Sequence, residues 1–181
     1  MAAPDKVAFI TGAAGAIGSA TARRLAQDGY ALALADMGVP AAGSDLPEGL
    51  VLDLDVRSGD QVRAAVERTL ATYGRIDVLV NVAGITSFGS AQQLAEAEWQ
   101  RVLDINLSGT FRCCQAVLPA MKTQGRGRIV NLGSVLGKNG GNARPWVDAG
   151  EQKGSGNIAY GVSKAGVHAM TAYLAREVAS L

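Results

Sequence analysis

The chain is short of the side chains that build most metal and covalent sites. It has a single histidine, His168, and two cysteines, Cys113 and Cys114, which are neighbours. One histidine cannot assemble the cluster that zinc or iron requires, so no metal site is expected. Adjacent cysteines rarely bridge, and the pair reads as two reduced helix residues of a cytoplasmic protein. An excess of charge is missing too: 17 basic against 16 acidic residues leave a formal net charge of +1. Without a basic run there is no electrostatic footprint for nucleic acid. No apolar stretch approaches the ~20 residues that span a bilayer. The opening Met1-Ala2-Ala3-Pro4-Asp5-Lys6 lacks the charged-then-apolar order of a secretion signal. Neither nucleic acid nor membrane is therefore an expected partner.

What the chain does have is apolar residues, at 48%, and 23 glycines. At 181 residues such a composition suits one packed domain, burying roughly 70% of the surface of its unfolded chain. Short apolar runs bounded by turn residues recur at Val7–Ile10, Ala31–Ala35, Leu50–Leu54, Ile76–Val82 and Arg128–Leu132. Their brevity and low polarity predict strands buried on both faces, as in a parallel sheet.

Helical patterns lie between the runs. Ile17 to Gln27 precedes Gly29, a helix stop. Ser58-Gly59-Asp60-Gln61 resembles a capping box ahead of Val62, Ala65, Val66, Thr69 and Tyr73. From Glu98 a stripe of Val102, Leu103, Leu107, Phe111, Cys114, Val117, Leu118 and Met121 predicts one long helix with a kink at Pro119. A last helix starts near Tyr160. Strand and helix alternate, which predicts an α/β fold: a doubly wound parallel sheet of Rossmann type with helices on both faces.

In that context "TGAAGAIG", Thr11 to Gly18, is a Gly-rich turn between the first strand and the first helix. Such a turn aims backbone N–H groups and the positive helix end at one spot, which suits a pyrophosphate. A tight turn without ligand is the plainer alternative. Asp36 ends the second strand about 20 residues further on, where a carboxylate accepts hydrogen bonds from adenosine ribose hydroxyls and repels a 2′-phosphate. With no Arg or Lys in the turn or next to Asp36, the expected cofactor is NAD rather than NADP. Tyr160 and Lys164 stand four apart and share a helix face. An ammonium beside a phenol favours phenolate, as a general acid/base near neutral pH requires.

Taken in order, these motifs resemble the short-chain dehydrogenases/reductases, specifically the classical subfamily. They are the Thr11–Gly18 turn, Asp55-Val56, Asn81-Val82-Ala83-Gly84, Asn106 in "INLSGT", Ser134 in "RIVNLGS" and Tyr160-x-x-x-Lys164. The resemblance implies that Tyr160 exchanges a proton with the substrate oxygen and that Ser134 hydrogen-bonds that oxygen. Lys164 would hold the nicotinamide ribose and assist Tyr160, while the Asn106 carbonyl would hold a water that relays protons. Thr11, Gly12, Gly15, Ala16, Ile17 and Gly18 would cradle the pyrophosphate. Asp36 would take the ribose, Asp55 and Val56 the adenine, and Asn81, Ala83 and Gly84 would line the cofactor. It also implies a homodimer or homotetramer packed through the Asn106 and Tyr160 helices. His168 reads as a packing or interface residue, Trp99 and Trp146 as packing residues.

Three departures stand out. Ala16 occupies a place where the subfamily has glycine, and the T-G-x-x-G-x-x-G spacing is that of sugar epimerases and dehydratases. Lys138 to Asn157 is a surplus, Gly- and Asn-rich stretch, expected as a loop insertion: either Arg144, Trp146, Asp148 or Glu151 helps select a polar substrate, or the stretch is a surface elaboration or subunit contact. Family members also continue beyond the helix of Tyr160 and Lys164 with further strands and a substrate-binding helix pair, so the resemblance implies that this C-terminal part is missing. The leading expectation is an NAD(H)-dependent oxidoreductase interconverting a secondary alcohol and a ketone, with a 3-oxoacyl-thioester reductase or a sugar/polyol dehydrogenase as specific forms. The alternatives are a catalytically weakened nucleotide-binding protein or fragment, and an epimerase or dehydratase holding NAD.

Overall fold

The computed structural model describes residues 4–38, 46–140, 145, 147–151 and 157–179. They form two compact units, one of residues 4–83 with 109–132, the other of residues 84–108 with 133–179.

The first unit is built on five parallel strands: β1 (Val7–Thr11), β2 (Ala31–Asp36), β3 (Leu50–Asp53), β4 (Val78–Asn81) and β5 (Arg128–Asn131), in the order β3-β2-β1-β4-β5. All five predicted runs are strands, with ends shifted by a residue or two. The largest shift is at β4, where Ile76 leaves the ladder because the Gln124 side chain takes both its backbone N–H (3.0 Å) and its carbonyl (2.9 Å). The chain order reverses between β1 and β4, the switch point where open α/β sheets leave a crevice at the strand carboxyl ends. Thr11, Asp36, Asn81 and Asn131 stand at that edge.

Side-chain alternation along the strands supplies two apolar faces. Ala8, Ile10, Leu32, Leu34 and Val80 pack with Ala22, Leu25 and Ala26 of α1 (Ala16–Gln27). On the other side α2 (Gly59–Tyr73) and α4 (Thr110–Gln124) pack on each other and on the sheet. Their buried residues are Val62, Ala65, Val66 and Thr69 on α2, and Thr110, Cys113, Cys114, Val117 and Met121 on α4. The expected capping box forms only by half. Ser58 Oγ accepts the Gln61 N–H at 3.3 Å, but Gln61 Oε1 accepts from Asp55 N (2.8 Å) instead of returning to Ser58, whose own N–H goes to the Asp55 carbonyl.

The second unit carries α3 (Glu96–Leu103), a one-turn helix α5 (Leu136–Asn139) and α6 (Ile158–Val178), with α3 and α5 both packed on α6. The single helix expected from Glu98 to Met121 is instead interrupted: between α3 and α4 the chain runs through a π-helical turn, Asp104–Gly109. A π turn widens the repeat, so the 3.6-residue stripe loses its phase there. Phe111, expected inside, is half exposed, while Cys113 is buried. The expected loop at 138–157 starts later, since Lys138 and Asn139 belong to α5. Among the described residues no helix is long and apolar enough to cross a membrane.

Candidate active site

At the end of β1 the turn is shaped by two close approaches. Gly12 has φ +66°, and a Cβ there would lie 2.7 Å from the Ala83 nitrogen. A Cβ on Gly18 would lie 2.0 Å from the Gly12 carbonyl oxygen. These two positions admit only glycine; Gly15, with φ −70° and an added Cβ no nearer than 3.4 Å to its neighbours, does not demand it. Ala16 is exposed as the first residue of α1 and Ile17 is also exposed. The α1 N-terminus has neither a capping side chain nor an acidic residue in its first turn. Its N–H groups are thus left for an anion from outside, the condition a pyrophosphate needs.

The residues around this turn hold it in place. Thr11 is buried, and its hydroxyl accepts the N–H groups of Val82 (3.2 Å) and Ala83 (3.3 Å). Asp36 Oδ2 accepts from Ala14 N (2.8 Å) and Oδ1 from Met37 N (2.8 Å). Each carboxylate oxygen keeps a further lone pair, so the same group that fastens the turn can still accept from a ribose hydroxyl. The Leu54 N–H bonds the Asp36 carbonyl, which brings Asp55 and Val56 alongside. The Asp55 carboxylate is gripped by Arg57 through backbone N, Nε and Nη2 at 2.7–3.0 Å. That hydrogen bonding holds its pKa below the usual carboxylate range. Val56 is buried. Asn81 is buried too; its Nδ2 donates to Asn131 Oδ1 (2.9 Å), and its Oδ1 has no hydrogen-bond partner. The set fits an adenine dinucleotide.

Cys113 and Cys114 are buried and free; burial pushes their thiols up to about 12 and about 11. They are packing residues, not nucleophiles.

The second unit gathers the expected proton-handling residues on and around α6. Tyr160 and Lys164 are one turn apart, with Nζ 5.8 Å from the Tyr160 ring centroid. Lys164 is buried, and desolvation pulls its ammonium below the ordinary lysine range. Asn106, in the π turn, is fully buried and uses its whole amide. Oδ1 accepts from Ile85 N (2.8 Å), and Nδ2 donates to Ile85 O (2.9 Å) and Ser163 Oγ (3.0 Å). Ser163 Oγ in turn donates to the Tyr160 carbonyl at 2.7 Å. A chain of hydrogen bonds therefore runs from the segment after Gly84, which is exposed, to the backbone of Tyr160.

Ser134 is brought to the same helix by packing. A Cβ on Gly137 would meet the Lys164 carbonyl carbon at 2.7 Å and Ala165 N at 2.6 Å, so α5 lies directly on α6 there. Ser134 Oγ accepts the Leu136 N–H at 3.2 Å, and Ser134 N donates to His168 Nε2 at 3.3 Å. The contacts fall at 164, 165 and 168, one face of α6.

His168, read from the sequence as packing or interface, thus touches the backbone of Ser134. Sequence spacing placed it on the Lys164 face, but nothing local told what would meet it there. Arg144 and Trp146 lie outside the described residues. Asp148 and Glu151 bond within their own turn: Asp148 Oδ1 accepts from Glu151 N (2.8 Å) and Glu151 Oε2 from Val147 N (2.7 Å). Trp99 is half-buried.

A family model described as short chain dehydrogenase matches residues 6–146. The chain is 38% identical over 181 residues to a 3-oxoacyl-[acyl-carrier-protein] reductase of Thermotoga maritima, covering 96% of this chain and 68% of that protein. It is 35% identical to the corresponding reductase of Staphylococcus epidermidis, covering 97% and 70%. Among solved structures it is similar to an NAD+-bound xylitol dehydrogenase, with a TM-score of 0.84 at 36% identity over 97% of this chain and 65% of that one. A Thermoplasma acidophilum aldohexose dehydrogenase gives a TM-score of 0.80 at 31% identity, covering 97% and 62%.

Proposed function

Because the chain belongs to the short-chain dehydrogenase family, a family of oxidoreductases acting on CH–OH groups, we propose that it interconverts a secondary alcohol and a ketone with NAD(H). Bound nicotinamide supplies the hydride chemistry. The chain's own residues handle the proton and the orientation.

The Tyr160 hydroxyl gives its proton to the carbonyl oxygen in reduction and takes one from the alcohol in oxidation. The Lys164 ammonium, 5.8 Å from the centroid of the Tyr160 ring, is assigned to the nicotinamide ribose hydroxyls. Ser134 spends an acceptor lone pair on Leu136 N, which leaves its hydroxyl hydrogen to donate to the substrate oxygen and steady the charge that develops there. The backbone carbonyl of Asn106 is assigned to the proton-relay water, its side chain being occupied with Ile85 and Ser163. In the first unit, Gly12, Gly15, Ala16, Ile17 and Gly18 are assigned to the pyrophosphate. Asp36 takes the adenosine ribose, Asp55 and Val56 the adenine, and Asn81 and Ala83, with Gly84, line the cofactor. Thr11 acts behind the turn through its buried hydroxyl. The Asp36 charge disfavours a 2′-phosphate, hence NAD over NADP. The assembly is taken to be a homodimer or homotetramer, with Phe111 and Tyr173 as exposed ring surface on α4 and α6.

The observation that carries the reading is the seating of Ser134 on the face of α6 that bears Lys164, one turn from Tyr160. The test is Tyr160→Phe, assayed by NADH fluorescence and by turnover of a panel of alcohols and ketones. NADH binding is expected to survive, with turnover down by roughly 10²- to 10⁴-fold. Unchanged turnover would remove Tyr160 from the mechanism, and product formed without net NADH change would mean an epimerase or dehydratase.

A further inference from the structure

The only histidine of the chain sits on α6 one turn beyond Lys164, and the proposed reaction does not use it. Its Nε2 lies 3.3 Å from the Ser134 backbone nitrogen. On the other side of the same peptide, Gly133 leaves the space the imidazole fills. A Cβ there would stand 2.2 Å from Nε2 and 2.6 Å from Cδ2. Gly133 has no unusual φ, so its lack of a side chain serves the ring and not the backbone conformation.

We propose that His168 is a positioning residue: as neutral imidazole it accepts the Ser134 N–H and fixes the strand exit from which the Ser134 hydroxyl reaches the substrate oxygen. This rests on the reading of Ser134 given above. Ser134 is then held at three atoms, its nitrogen by His168, its Oγ by the Leu136 N–H and its carbonyl by the Gly137 N–H (3.1 Å). The second and third holds are local, two and three residues along the chain, and set the residue relative to α5. The first ties that exit directly to the helix of Tyr160 and Lys164, 34 residues away. A hydrogen-bond donor aimed at a developing oxyanion works only if its placement holds to well under an ångström.

The acceptor role fixes the chemistry of the ring. A neutral imidazole accepts at one nitrogen and donates at the other, so Nε2 as acceptor places the hydrogen on Nδ1. Because the chain has one histidine, its ring nitrogens give a single, self-assigned set of long-range ¹H–¹⁵N signals. The expected wild-type pattern is the Nδ1–H tautomer; the Nε2–H tautomer would overturn the proposal whatever the enzyme does.

Turnover supplies the second measurement. His168→Leu keeps an apolar side chain but no acceptor, and should lower kcat roughly 10- to 100-fold while leaving NADH binding unchanged. His168→Gln places an amide group where Nε2 was and should recover most of the loss. If His168→Leu matched wild type, or if Leu and Gln were equally impaired, the ring would be packing alone and the proposal would fail. A wild-type chain that binds NADH yet turns over nothing would instead overturn the oxidoreductase reading; the tautomer would then still decide whether the ring holds the Ser134 amide.

Discussion

In the first unit the groups proposed to face a dinucleotide are main-chain N–H groups at the β1–α1 junction, and what stands behind them is glycine, alanine and a buried threonine hydroxyl. In the second unit the groups proposed to handle the proton are side chains, Ser134, Tyr160 and Lys164, set among Asn106, Ser163 and His168. The difference follows from the ligands proposed for each. A pyrophosphate is bulky and anionic, and several parallel N–H groups serve it best if nothing stands in front of them. A carbonyl that must gain or lose a proton needs titratable groups at defined positions, and those require support on every side. A small-residue turn is therefore vulnerable to added atoms, a side-chain network to removed ones.

The sharpest way to break this contrast is to add one methyl to the turn. Gly18→Ala places a carbon 2.0 Å from the Gly12 oxygen, a clash with backbone that no rotamer relieves. It should cost about 3 kcal/mol or more of stability, at the upper end of overpacking penalties, and abolish the NADH fluorescence signal. Gly15→Ala, in the same turn, meets nothing closer than 3.4 Å and should stay within about 1 kcal/mol of wild type. Urea unfolding of both variants separates a backbone-packed turn from one that merely tolerates glycine. Equal behaviour would show that the close approach is not what shapes it.

Removing atoms tests the second unit. Asn106→Ala deletes an acceptor and two donations within a fully buried site, stranding the Ile85 N–H and carbonyl. Leaving such groups unpaired should cost about 2–3 kcal/mol. Because the same amide reaches the Tyr160 backbone through Ser163, kcat should fall further than the loss of folded protein explains. A stable variant with normal kcat would show that this network is not what positions Tyr160.

The two regions were also unequally legible. The five strands and the Thr11–Gly18 turn can be read because their causes are local: short apolar runs, glycine at a strand end, Asp36 at the next. The π turn at Asp104–Gly109 could not, since it changes hydrogen-bond partners without any residue type that requires it. A stripe continued straight through it put Phe111 inside, whereas α4 buries Cys113, Cys114, Val117 and Met121 and leaves Phe111 half exposed. Asn106 and Ser134 were reachable only through family resemblance, because Asn106 closes its bonds 21 and 57 residues away. The contact of His168 with Ser134 was beyond reach for the same reason. The imidazole's partner is chosen by how α5 settles on α6, and a sequence carries no local sign of that beyond the bare Gly133.

The smallest expected effect sharpens the contrast from the first unit's side. Arg57 grips Asp55 beside the proposed adenine position, but the pair is open to solvent, with the two side chains 42% and 23% exposed. Solvent screening reduces such a pair to about 0.5 kcal/mol at neutral pH. Its sign with pH is fixed: hydrogen bonding to Arg57, with a smaller charge effect from Arg112, lowers the Asp55 pKa in the folded state. The stability it contributes is therefore complete above the ordinary aspartate value of about 3.9 and is lost as pH falls below that through the folded value. Arg57→Ala should sit about 0.5 kcal/mol below wild type at pH 7, and the two urea curves should converge on acidification below about pH 4. NADH affinity should change less than in Gly18→Ala, because the first unit's site is made by main chain. If Arg57→Ala instead weakened NADH binding as much as the added methyl does, an exposed side chain would be carrying the turn's work, and the division between a backbone-built and a side-chain-built site would have to be given up.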